Sequence, residues 1–205
     1  MSAYIIKWLA VILMIIDHVG FFLFPQQIIL RMIGRLSFPL FAFLIANGYQ
    51  HTSDKKKFFF RLFAFANILQ LPSLFMYLPV NVFYTLSFGL LSIIIFESKY
   101  SEVLKFACIG GILMIAYTLG ADYGPYGVLV ILVIHLFRNQ YIYMALGIWG
   151  LSTLFYGYTH IQNLAALTPI IMSLYNNKKG PSMKYFFYLF YPIHMIFLDW
   201  LSGVL

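Results

Sequence analysis

Charge is scarce in this sequence. Charged residues make up 9% of the 205, and only six are acidic, whereas ordinary soluble domains carry about 25%. A water-soluble fold is excluded on that ground, and an integral membrane protein is expected. Cysteine is nearly missing as well. Cys108 stands alone in an apolar run, so disulfides, zinc clusters and thiol redox pairs have no support. No glycine-rich phosphate loop, metal-ligand spacing, nucleophile elbow or nucleotide fingerprint occurs, and no metal is expected. Gly110-Gly111 reads as close helix packing. The net charge of +7 would suit nucleic acid, but the basic residues sit in short clusters between hydrophobic runs. Topology-setting charges belong there, so no nucleic-acid partner is expected.

What is present is apolar: 62% hydrophobic and 20% aromatic residues, with 22 Phe and 16 Tyr, and a mean hydropathy of +0.88. Pro, Gly, Asn and Lys clusters divide the chain into hydrophobic runs at 3–24, 27–49, 57–78, 82–97, 103–120, 123–138, 141–157, 161–175 and 184–203. The expectation is an all-α polytopic membrane helix bundle of about nine spans, forming one domain over 1–205, with the lipid bilayer as its surroundings. A span needs about 20 apolar residues, so the sixth to eighth runs are short. The first run lacks a small-residue cleavage site and is long enough to span, so a signal peptide is not expected. Placing the N-terminus in the cytoplasm gathers Lys7, Lys55, Lys56, Lys57, Arg61, Lys99, Lys105, Arg138, Lys178, Lys179 and Lys184 on that side. These are eleven of the thirteen basic residues, as the positive-inside rule requires. The opposite loops, at Pro25-Gln26, Leu78-Pro79, Asp122-Tyr123 and Gly157-Tyr158-Thr159, carry no Lys or Arg.

Arg31 and Arg35 are the two basic residues that topology leaves over. They lie in the second run, and Asp17-His18 lies in the first. Each ionisable group at hydrocarbon depth costs roughly 2.5–3.5 kcal/mol even on lenient scales, so four in the first forty residues point to use. Counting about 1.5 Å per residue from the short turn between the runs puts Asp17, His18 and Arg35 roughly 10–12 Å deep. The same count brings His194 near mid-depth, with Asn67 and Gln70 comparable. Neighbouring helical residues point about 100° apart, so Asp17 is expected to face Arg35 while His18 faces a cavity. A buried structural ion pair explains Asp17 and Arg35 equally well. His18 and His194 are candidate general bases; each could instead only satisfy a neighbouring helix, His194 because Pro192 opens the backbone nearby. His135 and His160, near run ends, read as structural or interfacial. The clusters Lys55-Lys56-Lys57 with Arg61, and Lys178-Lys179 with Lys184, suit anionic lipid headgroups or the phosphates of a cytoplasmic coenzyme.

Several segments resemble a known family. Lys7-Trp8-Leu9-Ala10 through Ile16-Asp17-His18-Val19-Gly20 resembles the opening of the TraX family, as does Leu30-Arg31-Met32-Ile33-Gly34-Arg35-Leu36-Ser37-Phe38-Pro39. Asn47-Gly48-Tyr49, His51-Thr52, Asn81-Val82-Phe83-Tyr84-Thr85-Leu86, Ala121-Asp122-Tyr123-Gly124, Tyr126-Gly127, Tyr175-Asn176, Phe187-Tyr188 and Tyr191-Pro192-Ile193-His194 continue the match in order over nearly the whole chain. The family is named for the enzyme that N-acetylates conjugative pilin. More loosely, the chain resembles the transmembrane acyltransferases that include polysaccharide O-acetylating enzymes and heparan-glucosaminide N-acetyltransferase.

The resemblance implies a multi-pass protein of the bacterial plasma membrane. It would take acetyl-CoA from the cytoplasm and pass the acetyl group to an amine or hydroxyl, on a pilin-like N-terminus or a cell-surface glycan. On that reading His18 is the base, Asp17 and Arg35 fix the site electrostatically, and His194 is the alternative base or a carbonyl-polarising donor. Arg31, Asn67, Gln70 and Tyr191 would meet substrate, and Lys55, Lys56, Lys57, Arg61, Lys178 and Lys179 the coenzyme phosphates. A small proton- or anion-coupled transporter and a non-catalytic membrane assembly partner are the competing classes. The acceptor and the oligomeric state stay open at this point.

Overall fold

The computed structural model describes residues 1–71, 80–181 and 184–204, and within them the chain is helical. In order it forms α1 (Ala3–Phe22), α2 (Ile28–Gly34), α3 (Ser37–His51), α4 (Lys55–Gln70), α5 (Val82–Phe96), α6 (Glu102–Thr118), α7 (Gly124–Leu136) and α8 (Tyr141–Tyr156). A 3-10 segment (Ile161–Leu167), α9 (Thr168–Ser173) and α10 (Lys184–Val204) follow. The hydrophobic runs therefore became helices close to their expected limits. The expected outer turn at Leu78-Pro79 and the end of the 57–78 run lie outside the described residues, as do the side chains of Lys184, Phe187 and Tyr188. Among the described residues two helical stretches, Ala3–Phe22 and Ile28–His51, are long and apolar enough to cross a membrane, and five shorter apolar helices of 10–17 residues accompany them.

Proline explains where two expected spans are subdivided. Pro39 has no N–H for the carbonyl of Arg35, four residues back, and its ring crowds that carbonyl. The second span accordingly breaks at Arg35-Leu36, between α2 and α3. Pro169, in the first turn of α9, divides the run 161–175 into a 3-10 segment and a short α-helix. Caps mark the other starts. The Asp54 side chain accepts from Lys57 N at 2.8 Å, and Ser101 caps α6 in the same way; each satisfies a donor that the first helical turn leaves over.

The chain divides into two compact units, 1–44 with 139–205 and 45–138, the boundary falling inside α3. In the first unit α1 packs on α2 and α10, α8 packs on the 3-10 segment and α9, and α2 touches the 3-10 segment. Its fully buried side chains include Ile6, Leu40, Met144, Ile148 and Met172. A loop closes over the start of α1: Ala3 N donates to Lys178 O at 2.8 Å and Tyr4 N to Lys179 O at 3.2 Å. Gly180 completes this loop at φ +71°, where a Cβ would lie 2.7 Å from Tyr4 Cβ.

The second unit is built on α5, which packs against α4, α6 and α7. Phe88, Ile112, Ala116 and Val128 form its buried cluster, with Phe63, Tyr84, Leu91, Ile95 and Leu113 around it. Asn81 caps α5, accepting from Phe83 N at 3.1 Å. Its amide also donates to Ala66 O at 3.0 Å and to Gln70 Oε1 at 2.7 Å.

Candidate active site

The site grows from the corner between α1 and α2. The turn is tight: Leu23 N and Phe24 N both donate to Val19 O, and Gln27 N donates to Phe24 O. The two helices run antiparallel, because Gly20 lies against Leu30 while Gly34 lies against Asp17. A Cβ on Gly34 would fall 2.2 Å from Asp17 Oδ1 and 2.3 Å from its Cβ, so only glycine lets the aspartate sit against the α2 backbone. Arg31 and Arg35 are one turn apart on α2 and therefore share a face; both reach back to that carboxylate. Arg31 Nη1 donates to Asp17 Oδ2 at 2.7 Å and to the Asp17 carbonyl at 3.0 Å, with its guanidinium 5.0 Å from the Phe21 ring centroid. Arg35 Nη2 lies 2.6 Å from both Asp17 oxygens, and Arg35 Nη1 donates to Gln162 Oε1 at 3.3 Å. Asp17 is 7% exposed. One carboxylate is thus held between two guanidiniums, through short charge-assisted bonds of the strong kind.

The pairing of Asp17 with Arg35 is the one depth counting gives. Arg31 differs from its expected place: assigned to the acceptor, it shares the same carboxylate. Gln162, 1% exposed, was not singled out from the sequence. Its signal was an amide inside the apolar run 161–175, which needs a buried polar partner.

One residue along α1, about 100° around the helix, His18 turns toward α10. Its Nδ1 lies 2.9 Å from His194 Nε2, with the ring centroids 5.0 Å apart. His194 Nδ1 lies 3.0 Å from the Phe190 carbonyl oxygen, its ring stacked on Phe190 at 4.9 Å with planes 4° apart. Tyr191 meets it edge-on at 5.6 Å. Aromatic contacts continue from there to the start of α1, through Phe190–Phe186 at 5.6 Å, Phe186–Trp8 at 5.2 Å and Trp8–Tyr4 at 6.4 Å. His18 therefore meets an imidazole where a cavity was expected.

The remaining sequence candidates have local partners. Asn67 Nδ2 donates to Phe63 O and its Oδ1 accepts from Tyr84 OH at 3.0 Å. Gln70 Oε1 accepts from Asn81. Lys55 Nζ donates to the carbonyls of Tyr49 and Thr52 and lies 4.6 Å from the Tyr49 ring centroid, so it closes the C-terminal end of α3. Lys56, Lys57 and Arg61 are exposed on α4, and Lys178 and Lys179 are exposed on the loop over α1. His135 bonds Glu97 through Nε2 at 2.7 Å, and His160 Nδ1 accepts from Gln162 N at 3.1 Å. Among the described residues no group of three or more His, Cys, Asp and Glu could hold a metal ion.

Helices through the described residues, two of the stretches of membrane length, and a carboxylate–diarginine corner beside an imidazole pair define a membrane-associated class with a polar centre. The family described as TraX protein matches residues 2–202, and the chain belongs to that family. It is 29% identical over 231 residues to the "Probable fimbrial assembly protein FimC, serogroup H1" of Dichelobacter nodosus, covering 96% of this chain and 94% of that protein. It is 30% identical over 131 residues to "Uncharacterized protein RP591" of Rickettsia prowazekii (strain Madrid E), covering 62% of this chain and 51% of that protein. No solved structure matches it.

Proposed function

We propose that this chain is a multi-pass acyltransferase of the bacterial plasma membrane, moving an acetyl group from cytoplasmic acetyl-CoA to an amine or hydroxyl. The observation that carries the reading is the imidazole pair, His18 with His194 at 2.9 Å, held at the depth of a buried, fully bonded charge cluster. Acetyl transfer from a thioester needs a group that removes the acceptor's proton and returns it to the departing thiolate. A histidine does both near neutral pH. Asp17, committed to Arg31 and Arg35, fixes α1 against α2 and so fixes where His18 stands. The same guanidiniums supply a positive field favourable to the oxyanion that forms at the thioester carbonyl. Lys178 and Lys179, exposed on the loop over the start of α1, suit the coenzyme phosphates; in the second unit Lys56, Lys57 and Arg61, exposed on α4, are a separate candidate cluster for them, and Lys55 is occupied at the end of α3. Membership of the TraX family and the fimbrial-assembly name of the Dichelobacter relative favour a pilin-like amine as acceptor, with a cell-surface glycan hydroxyl as the other candidate.

The test is acetyl transfer from labelled acetyl-CoA by the purified protein in lipid nanodiscs, offered peptide-amine and glycan acceptors. Full transfer by a folded His18→Ala variant would falsify the assignment. The relative's name also supports a second reading, a non-catalytic assembly partner. That reading expects no stabilisation of the protein by saturating acetyl-CoA, whereas an acyltransferase should be stabilised by acetyl-CoA more than by its dephospho analogue.

A further inference from the structure

Resting on the acyltransferase reading, we infer that His18 Nε2 is the nitrogen that takes the acceptor's proton, and that His194 is a positioning residue whose own tautomer is set by the Phe190 carbonyl. A carbonyl oxygen only accepts, so the 3.0 Å contact from His194 Nδ1 to Phe190 O requires a proton on that Nδ1. A neutral imidazole carries one N–H, which leaves His194 Nε2 with a bare lone pair. The 2.9 Å contact between His194 Nε2 and His18 Nδ1 needs one proton between its ends, and that proton belongs to His18 Nδ1. Neutral His18 is then bare at Nε2.

The opposite arrangement would put protons on both nitrogens of His194. That makes it a cation, 7% exposed, hydrogen-bonded to an imidazole and to the backbone of Phe190 and Tyr191 and to no anion. A buried charge without an anionic partner is costly. Asp17 does not orient His18, since its two oxygens face Arg31 and Arg35. An imidazole occupies the place that a carboxylate holds in a serine-hydrolase triad.

The step balances. His18 Nε2 removes the proton of the acceptor X–H as X attacks the thioester carbon. The His18 Nδ1 proton shifts toward His194 Nε2, spreading the new positive charge over both rings. The tetrahedral intermediate collapses with cleavage of the C–S bond, and the leaving thiolate takes the proton from His18 Nε2–H. The products are the acetylated acceptor and the coenzyme thiol, with both imidazoles neutral again.

Histidine 15N chemical shifts of the full chain in nanodiscs test the tautomers directly. The sequence permits assignment in the wild type, because Asp17-His18 is its only Asp-His step and His194-Met195 its only His-Met step. Both rings are expected to be protonated at Nδ1 and bare at Nε2; a proton on Nε2 of either neutral ring overturns the inference. In the transfer assay, His194→Gln keeps an oxygen acceptor for His18 Nδ1 and should lose roughly tenfold in kcat, whereas His194→Leu should lose about a hundredfold or more, with the KM for acetyl-CoA unchanged in both. Equal losses in Gln and Leu, or a changed KM, would count against a positioning role. Reversed tautomers alongside measurable acetyl transfer sink this assignment alone. The expected tautomers without any transfer sink the enzymatic reading, and with it the base.

Discussion

Neutralising Asp17 is the most discriminating change the structure offers. In Asp17→Asn the side chain keeps its shape, but two guanidiniums one turn apart lose the anion between them. Arg35 contributes two contacts of 2.6 Å and Arg31 one of 2.7 Å to the carboxylate. The side chains are 12%, 23% and 11% exposed for Arg35, Arg31 and Asp17, so water compensates little. Removing one partner of a buried ion pair costs about 3–5 kcal/mol, and Asp17→Asn should fall in that range. Arg31→Met leaves Asp17 its closer partner and should cost less, about 1–3 kcal/mol. Arg35→Met should lie between them. In the double variant Asp17→Asn/Arg35→Met one guanidinium, that of Arg31, is left without the anion instead of two, so the loss should fall short of the sum by roughly 0.5–3 kcal/mol. Equilibrium unfolding in mixed detergent micelles measures all four. If Asp17→Asn stays within about 0.5 kcal/mol of wild type, as a surface substitution would, the corner does not hold α1 to α2 and the argument fails.

Gly34→Ala should destabilise by about 1–3 kcal/mol through overpacking, because its Cβ meets Asp17; Gly110→Ala, with nothing within 4 Å, should be neutral or stabilising, and equal thermal stabilities would refute the close approach. Asn81→Ala removes a cap and two further side-chain hydrogen bonds and should cost about 2 kcal/mol, read in the same unfolding assay. Lys178→Gln with Lys179→Gln should raise the KM for acetyl-CoA more than for dephospho-coenzyme A thioester; an unchanged ratio would remove these lysines from the donor site. Lys55→Gln should lower stability and leave that ratio alone, since its ammonium serves the α3 carbonyls.

Much of this site is legible from the sequence because helix rise and span length are nearly fixed quantities. The turn after Phe24 is short, so the first two helices must be antiparallel neighbours, and counting back from it puts Asp17 level with Arg35. The break at Arg35-Leu36 was equally open to reading, since Pro39 cannot serve the carbonyl four residues before it. Depth, however, fixes one coordinate and leaves rotation about each helix free. That is why Arg31 was expected to meet substrate although it lies on the same α2 face as Arg35, and why Gln162 went unnoticed. His194 as the partner of His18 Nδ1 was missed for the same reason: which ring α10 turns toward α1 depends on packing along its whole length. Lys55 shows another limit, because a lysine just beyond a helix end has unbonded carbonyls within reach, and nothing in a basic run tells which member will take them.

The adjacency of Asp17 and His18 resembles a catalytic dyad on paper, and helix geometry turns it into a division of labour. At about 100° per residue one side chain faces α2 and the next faces α10, so a single turn of α1 is held by the arginines and presents the imidazole. The two arrangements leave opposite signatures in an Asp17→Asn variant. In a dyad the carboxylate holds the tautomer, and its loss cuts kcat by several orders of magnitude with the fold intact. Here the tautomer depends on His194 and Phe190, so the loss appears first in stability. The fraction that remains folded should keep His18 protonated at Nδ1 and its kcat within about tenfold of wild type, a residual effect of the altered field on the oxyanion. A stable, folded Asp17→Asn protein with a kcat lower by a thousandfold would reverse the assignment and make Asp17 the orienting group.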